Sequence, residues 1–325
     1  MLNVGIIGCG LIGEKRARAL ENLVKIVSCY DTNITRSNSF ALEFNCKNVK
    51  NVNELFDNES IDIVFIATTH VSLADFAQKS LGSGKHVFIE KPGAINNLKL
   101  SEVYQLALEK SLLVHVGYNH RYHPAVSQAI KTFNSGGIGR LLFLRARYGH
   151  GGRLGYEKEW RADKELSGGG ELIDQGTHLL DLSMAFMGEI SLEYGATPNY
   201  FWKMNVEDNA FVVVKNHAGA IGYLHASCTE WKNIFSLEVY GETGKLEISG
   251  LGGSYGTEKL THYKMLPEMG PPETNSWEFN EDNSWKLEVG EFIENIVKKN
   301  THSSNLSSSI KVLELVKEIY ERTNR

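Results

Sequence analysis

The chain has 325 residues, 42% of them hydrophobic, which is enough for two domains with buried cores and too apolar for wholesale disorder. Lys plus Arg number 34 against 39 Asp plus Glu, a formal net charge of -5 with no basic block, which argues against a nucleic-acid partner. Apolar runs fall well short of the ~18 residues a bilayer span needs, and no basic segment precedes the first of them, so a cytoplasmic chain with no membrane partner is expected.

From the start, short aliphatic runs alternate with amphipathic ones, the pattern of parallel strands joined by crossover helices. Residues 4–7 read as a strand that runs straight into Gly8-Cys9-Gly10-Leu11-Ile12-Gly13 and a helix over 11–23. In that context the first glycine permits a tight turn, the second lets a pyrophosphate approach the backbone, and the third lets the helix pack on the sheet. The N–H groups of the loop and of Leu11 and Ile12 then face the phosphates. Strand 25–30 ends at Asp31, where a carboxylate accepts bonds from an adenosine ribose and repels a 2′-phosphate, so NAD is preferred to NADP; Arg36 nearby softens that preference. Strand 61–67 delivers Thr68-Thr69-His70 and strand 86–90 delivers Glu90-Lys91-Pro92 to the same sheet edge, with Pro92 restraining Lys91. Helices 72–81 and 98–110 and strand 112–117 complete a doubly wound α/β domain over residues 1–120. Cys9, Cys29, Cys46 and Cys228 show neither CxxC nor zinc-finger spacing, so no disulfide framework and no structural zinc is expected.

Beyond residue 120 the texture becomes α+β. His120 and His123 flank Arg121 at the junction, where Arg121 is a candidate substrate contact. The alternating run 141–148 ends at Tyr148, a second such candidate. Strand-like runs 191–196, 209–215, 220–229, 235–240 and 245–249 with tight Gly or Asn turns give a mainly antiparallel sheet. Residues 250–283 read as long loops, and 285–298 and 310–320 as helices. The second domain is assigned to 121–325, with helix 310–320 a candidate to pack back on the first domain. Arg153, Tyr156 and Glu157 line a pocket or sit in an exposed loop.

Between these lies GGGELIDQGTHLLDL at residues 168–182. Read as one α-helix over 172–187, it puts Asp174, His178 and Asp181 within an arc of roughly 60° on an otherwise apolar helix. Carboxylates beside an imidazole can orient it as a general base. The plainer alternatives are a solvated polar stripe, or two ligands of a metal for which no third is evident, so no metal is assigned. Gly176 inside a helix implies a close approach to the backbone there. His115 and His225 read as core or sheet-face residues.

Taken together, GCGLIG at 8–13, EKP at 90–92, GYNHRYHPA at 117–125, Trp160-Arg161, the 168–182 motif and GETGKLEI at 241–248 closely resemble the glucose-fructose oxidoreductase, inositol dehydrogenase and MocA (Gfo/Idh/MocA) family. The resemblance implies a Rossmann domain followed by an α+β domain whose open sheet forms homodimers or homotetramers. It implies that His178 accepts a hydroxyl proton, Lys91 polarises the reacting oxygen, and Asp174 positions the substrate. It also implies that Trp160, Arg161 and Asn119 lie against the cofactor. The expected activity is NAD-dependent hydride transfer to or from a secondary alcohol of a sugar, sugar nucleotide or cyclic polyol. Redox-neutral glycoside hydrolysis and a non-catalytic dinucleotide sensor are the alternatives.

Overall fold

In the first part of the chain the helices and strands alternate as the periodicity requires: β1 (Asn3–Ile7), α1 (Leu11–Ala19), β2 (Lys25–Tyr30), α2 (Ile34–Glu43), β3 (Lys47–Asn48), α3 (Asn53–Phe56), β4 (Ile63–Ile66), α4 (His70–Gly82), β5 (His86–Glu90), α5 (Asn97–Lys110) and β6 (Val114–Gly117). The six strands form a parallel sheet in the order β3-β2-β1-β4-β5-β6. The order reverses beside β1, which leaves the C-terminal ends of β1, β4 and β5 adjacent at the edge where open α/β sheets bind ligands. Strands β4, β5 and β6 are buried on both faces, as a sheet covered on both sides requires. Helix α2 and the short β3 are absent from the sequence reading; polar residues dominate α2, and it starts at a local cap in which the Asn33 side chain accepts from Arg36 N–H at 3.1 Å.

The computed structural model describes residues 1–268, 270–300 and 304–323, in two compact units. The first is Met1–Tyr118 with Trp285–Lys311; the second is Asn119–Ser284 with the chain from Val312. The sequence reading leaves 285–298 in the second domain, but helix α9 (Ser284–Val297) joins the first unit's core. There Phe292 meets Phe88 edge-on at 5.4 Å, and Phe88 stacks on Phe65 at 4.7 Å. Burying such a ring is worth roughly 2–3 kcal/mol, which outweighs any preference set by sequence distance. Helix α10 (Leu306–Thr323) begins in the first unit and continues into the second. Residues 324 and 325, at the end of the expected second domain, lie outside the described residues.

The second unit carries α6 (Pro124–Asn134), β7 (Leu141–Gly149), α7 (Lys164–Ser167), α8 (Thr177–Met187), β8 (Ile190–Ala196), β9 (Asn209–Asn216), β10 (Ile221–Ser227), β11 (Ile234–Gly241), β12 (Gly244–Ser249), β13 (Glu258–Lys264) and β14 (Glu273–Phe279). Its eight-stranded sheet runs β14-β13-β12-β11-β7-β10-β9-β8, antiparallel except where β10 lies beside β7. Strands β13 and β14 correct the reading of 250–283 as loops. The edge strand β14 is mostly exposed and polar, and β13 buries Glu258, Thr261 and His262, so neither shows a clean apolar alternation. Along β7, Leu144, Ala146 and Tyr148 are buried while Phe143, Arg145 and Arg147 are not. The period of two thus puts Tyr148 on the face against which α8 packs. No described helix is long and apolar enough to cross a membrane.

Candidate active site

In the first unit the glycine loop is built for a close-approaching ligand. Gly8 has φ +96°, and a Cβ there would lie 2.3 Å from the Ala67 carbonyl oxygen; a Cβ on Gly13 would lie 1.9 Å from that of Gly8. By contrast a Cβ on Gly10 would meet only Arg36, at 3.8 Å, so the middle glycine leaves open backbone facing outward at the start of α1, which no side chain caps. Asp31 is seated beside this cradle: one carboxylate oxygen accepts Cys9 N–H at 2.9 Å, the other accepts Asn33 N–H at 2.8 Å, and Arg36 Nη1 lies 3.4 Å away. The cradle, the free helix start and the fixed acid fit a dinucleotide. Thr68 and Thr69 lead into α4 at the same edge, with His70 buried as its first residue.

Beneath β5 is a charge network that sequence reading missed. Arg16 is 1% exposed; its Nε donates to Glu90 at 2.5 Å and its Nη1 to Glu288 of α9 at 2.6 Å. The other oxygen of Glu288 lies 3.2 Å from His115 Nε2. The guanidinium is held between the rings of Phe88 and Trp285, at 4.5 and 4.3 Å. Burial raises the pKa of Glu90 against the pull of Arg16, while for Arg16 the two carboxylates more than offset burial. Glu90, read from the sequence as a cofactor contact, therefore spends its carboxylate on Arg16. The next residue, Lys91, leaves the strand through a cis bond to Pro92.

In the second unit the expected single helix is two: Leu172–Gly176 is wound as a π-helix, and α8 follows. The π turn changes the angular step, so Asp174, His178 and Asp181 do not share one regular α-helical stripe. All three are buried, which excludes the solvated-stripe alternative. The preceding glycines are fixed by packing: a Cβ on Gly170 would lie 1.9 Å from the Glu207 carbonyl oxygen, and one on Gly169 would lie 2.0 Å from the Tyr320 hydroxyl. Glu207 accepts Leu172 N–H at 3.0 Å and the Tyr320 hydroxyl at 2.7 Å, pinning the start of the motif. At Gly176 a Cβ would lie 3.2 Å from the Leu172 side chain, 3.5 Å from the Glu171 carbonyl oxygen and 3.7 Å from Ala226 of β10, so the close approach there comes from the motif's own turn and from β10.

Around His178 the rings are close. His120 lies 3.7 Å from it between centroids and Tyr148 5.9 Å, with Tyr255 5.0 Å beyond Tyr148. Burial, then Tyr255, Asp174 and Glu171, push the Tyr148 phenol well above its usual range, so it is an O–H donor. Asp174 accepts Arg161 Nε at 2.9 Å, and the guanidinium of Arg161 lies 4.5 Å over the Trp160 ring. Burial pulls the pKa of Arg161 down, but the neighbouring acidic groups, Asp174 foremost, more than offset it. One turn earlier, Glu171 accepts the Tyr156 hydroxyl at 2.9 Å and lies 3.6 Å from His150.

Other expected residues have different partners. Arg121 is committed to Asp181, with Nε and Nη2 each 2.7 Å from a carboxylate oxygen, so this acid is tied to Arg121. Asn119 donates to the Ser284 hydroxyl at 3.1 Å. Arg153, mostly exposed, pairs with Glu159 at 2.7 Å. His225 turns to the outward face, stacked on Phe211 at 4.3 Å. Tyr255 had no sequence signal beyond a glycine-rich surround.

Comparison with known proteins agrees with this architecture. Residues 2–118 match the model of an oxidoreductase family with an NAD-binding Rossmann fold, and residues 126–247 match the GFO/IDH/MocA C-terminal domain. The chain belongs to the GFO/IDH/MocA oxidoreductases. It is 24% identical to levoglucosan dehydrogenase of Pseudarthrobacter phenanthrenivorans over 75% of this chain and 73% of that one. It is 31% identical to glucose-6-phosphate 3-dehydrogenase of Bacillus subtilis over 56% of this chain and 53% of that one. A solved levoglucosan dehydrogenase in complex with NADH superposes with a TM-score of 0.88 at 21% identity, covering 99% of this chain and 97% of that one.

Proposed function

We propose that this oxidoreductase, a member of the GFO/IDH/MocA family, transfers hydride between NAD and a secondary alcohol of a sugar, sugar nucleotide or cyclic polyol. The reading is carried by the buried His178, ringed by His120 and Tyr148, together with Asp174 of the same motif, buried and held by Arg161 at 2.9 Å. Sugar dehydrogenases among the relatives support the substrate class. When bound, nicotinamide exchanges hydride at C4.

The chain's own residues do the rest. His178 takes the hydroxyl proton during oxidation and returns it during reduction. The Lys91 ammonium donates to the reacting oxygen and steadies its developing negative charge. Asp174, oriented by Arg161, accepts from a substrate hydroxyl, and the protonated Tyr148 phenol donates to another. Gly10, Leu11 and Ile12 present backbone to the pyrophosphate. Thr68, Thr69 and His70 border the dinucleotide, and Trp160, Arg161 and Asn119 its nicotinamide end.

The test is a screen of inositols, hexoses, uronic acids and nucleotide sugars with NAD, followed by absorbance. Steady NADH accumulation with at least one member is expected; its absence from every member would overturn the reading. Asp31 beside the ribose should make kcat/KM higher for NAD than for NADP. A like charge about 4–5 Å away costs on the order of 3–4 kcal/mol, and Arg36 offsets part of this. A ratio favouring NADP would remove Asp31 from cofactor selection.

The outward face of the eight-stranded sheet, where Phe143 stacks on Tyr240 at 4.2 Å and Tyr223 is exposed, is the proposed surface for a homodimer or homotetramer. Light scattering should give two or four subunits, and Tyr223→Glu should lower the number. A monomeric parent protein would end that proposal.

A further inference from the structure

Trp231 has φ +56°, in the left-handed region that a bulky aromatic residue seldom occupies, and it is 64% exposed. Its surroundings hold it there. The Trp231 ring meets Phe201 edge-on at 4.7 Å; Phe201, itself 56% exposed, meets Trp202 at 5.1 Å. Trp202 donates its indole N–H to the Cys228 carbonyl at 2.9 Å. Asp208, fully buried, accepts the N–H groups of Tyr200, Phe201 and Trp202 at 2.9, 2.7 and 3.1 Å, so the loop carrying Phe201 is fixed. Gly151 permits the approach, since a Cβ there would sit 2.9 Å from Trp231 Cα. A strained backbone supporting two rigid, exposed rings is a pattern found where function, rather than stability, sets the conformation.

Two chains of contact within the second unit connect these rings to the candidate active site. Asn233, two residues after Trp231, donates to the Ser254 carbonyl at 2.9 Å; the adjacent Tyr255 meets Tyr148, which meets His178. On the other side Trp202 meets Tyr156 at 5.6 Å, and Tyr156 donates to Glu171, three residues before Asp174. The rings are thus joined to that group of side chains through intermediate residues of the same unit.

We propose that Trp231 and Phe201 form an outer subsite that stacks a second pyranose ring, joined glycosidically to the ring being oxidised. This rests on the dehydrogenase reading above and narrows it from sugars in general to glycosides. An aromatic face accepts the C–H face of a pyranose, and a platform already held rigid loses little freedom when the sugar lands. The remaining hydroxyl groups of the second ring stay in solvent.

The test uses the full chain with cellobiose, maltose and glucose as probes, read by calorimetry. At least one disaccharide is expected to bind about two- to tenfold tighter than glucose, the range of one aromatic contact. Trp231→Gly suits the left-handed backbone, so it should raise the melting temperature while bringing the disaccharide-to-glucose ratio to about one. Trp231→Phe should retain most of the ratio, and Phe201→Ala should reduce it. Disaccharides binding no better than glucose, or a ratio untouched by Trp231→Gly, would overturn the subsite. So would tighter binding of UDP than of either disaccharide with the same loss in the variant, or a change in subunit number on substitution, since these assign the rings to a nucleotide or to a second copy. The sugar screen with NAD is scored separately: NADH formed from monosaccharides with no disaccharide preference leaves the dehydrogenase standing and removes only the outer subsite.

Discussion

Replacing His178 with asparagine is expected to lower sugar-dependent NADH formation by about 100-fold or more, the usual worth of a general acid–base group. NADH binding, followed by nicotinamide fluorescence, should stay near the parent value, because the glycine cradle and Asp31 lie in the first unit. Asparagine keeps a polar side chain in the buried position beside His120, so a cavity is a lesser concern than with alanine. Lys91→Ala should give a loss of similar size. The two differ in their pH dependence: without His178 the rate should recover in part as pH rises and hydroxide replaces the base, whereas no such recovery is expected without Lys91. Undiminished turnover in either variant would take that residue out of the chemistry. Arg161→Lys tests the supporting pair, since lysine keeps the charge beside Asp174 but not the planar fork or its stacking on Trp160.

The largest stability effect is expected at Arg16. Its removal leaves Glu90 and Glu288 as two buried carboxylates with their shared cation gone, a change that typically costs about 3–5 kcal/mol. Arg16→Ala should lower the melting temperature by on the order of 10 °C, measured by scanning calorimetry. Combining Arg16→Met with Glu90→Gln and Glu288→Gln should recover much of the loss, because no unpaired charge then remains inside. A melting temperature equal to that of the parent in Arg16→Ala would show that the network contributes nothing.

What could be read from the sequence followed from locality. Strands β2 and β5 have the residues assigned to them because runs of six and five residues, built on Ile26, Val27 and Tyr30 and on Val87, Phe88 and Ile89, end at unmistakable breaks, Asp31 and Lys91-Pro92. The glycine loop was legible because its strand and helix are contiguous with it. The limits were long-range. Nothing near Arg16 announces that its second carboxylate comes from residue 288, and the period of 3.6 cannot foresee the π turn that Glu207 and Tyr320 pin from afar. Strand β14 carries polar residues on both faces, so period two is silent there. Trp231 follows a strand and looks like any surface aromatic until its backbone angle is seen.

Completion of the first unit by Trp285–Lys311 has a consequence for biosynthesis. At about 5–20 residues per second, residues 119 to 284 take roughly 10–30 s to synthesise after the six parallel strands have been made. For that interval Arg16 has no Glu288, and the surface that receives Phe292 stays open to water. The first unit is thus incomplete until α9 is made, and protease sensitivity of stalled chains is expected to fall only once α9 has cleared the exit tunnel.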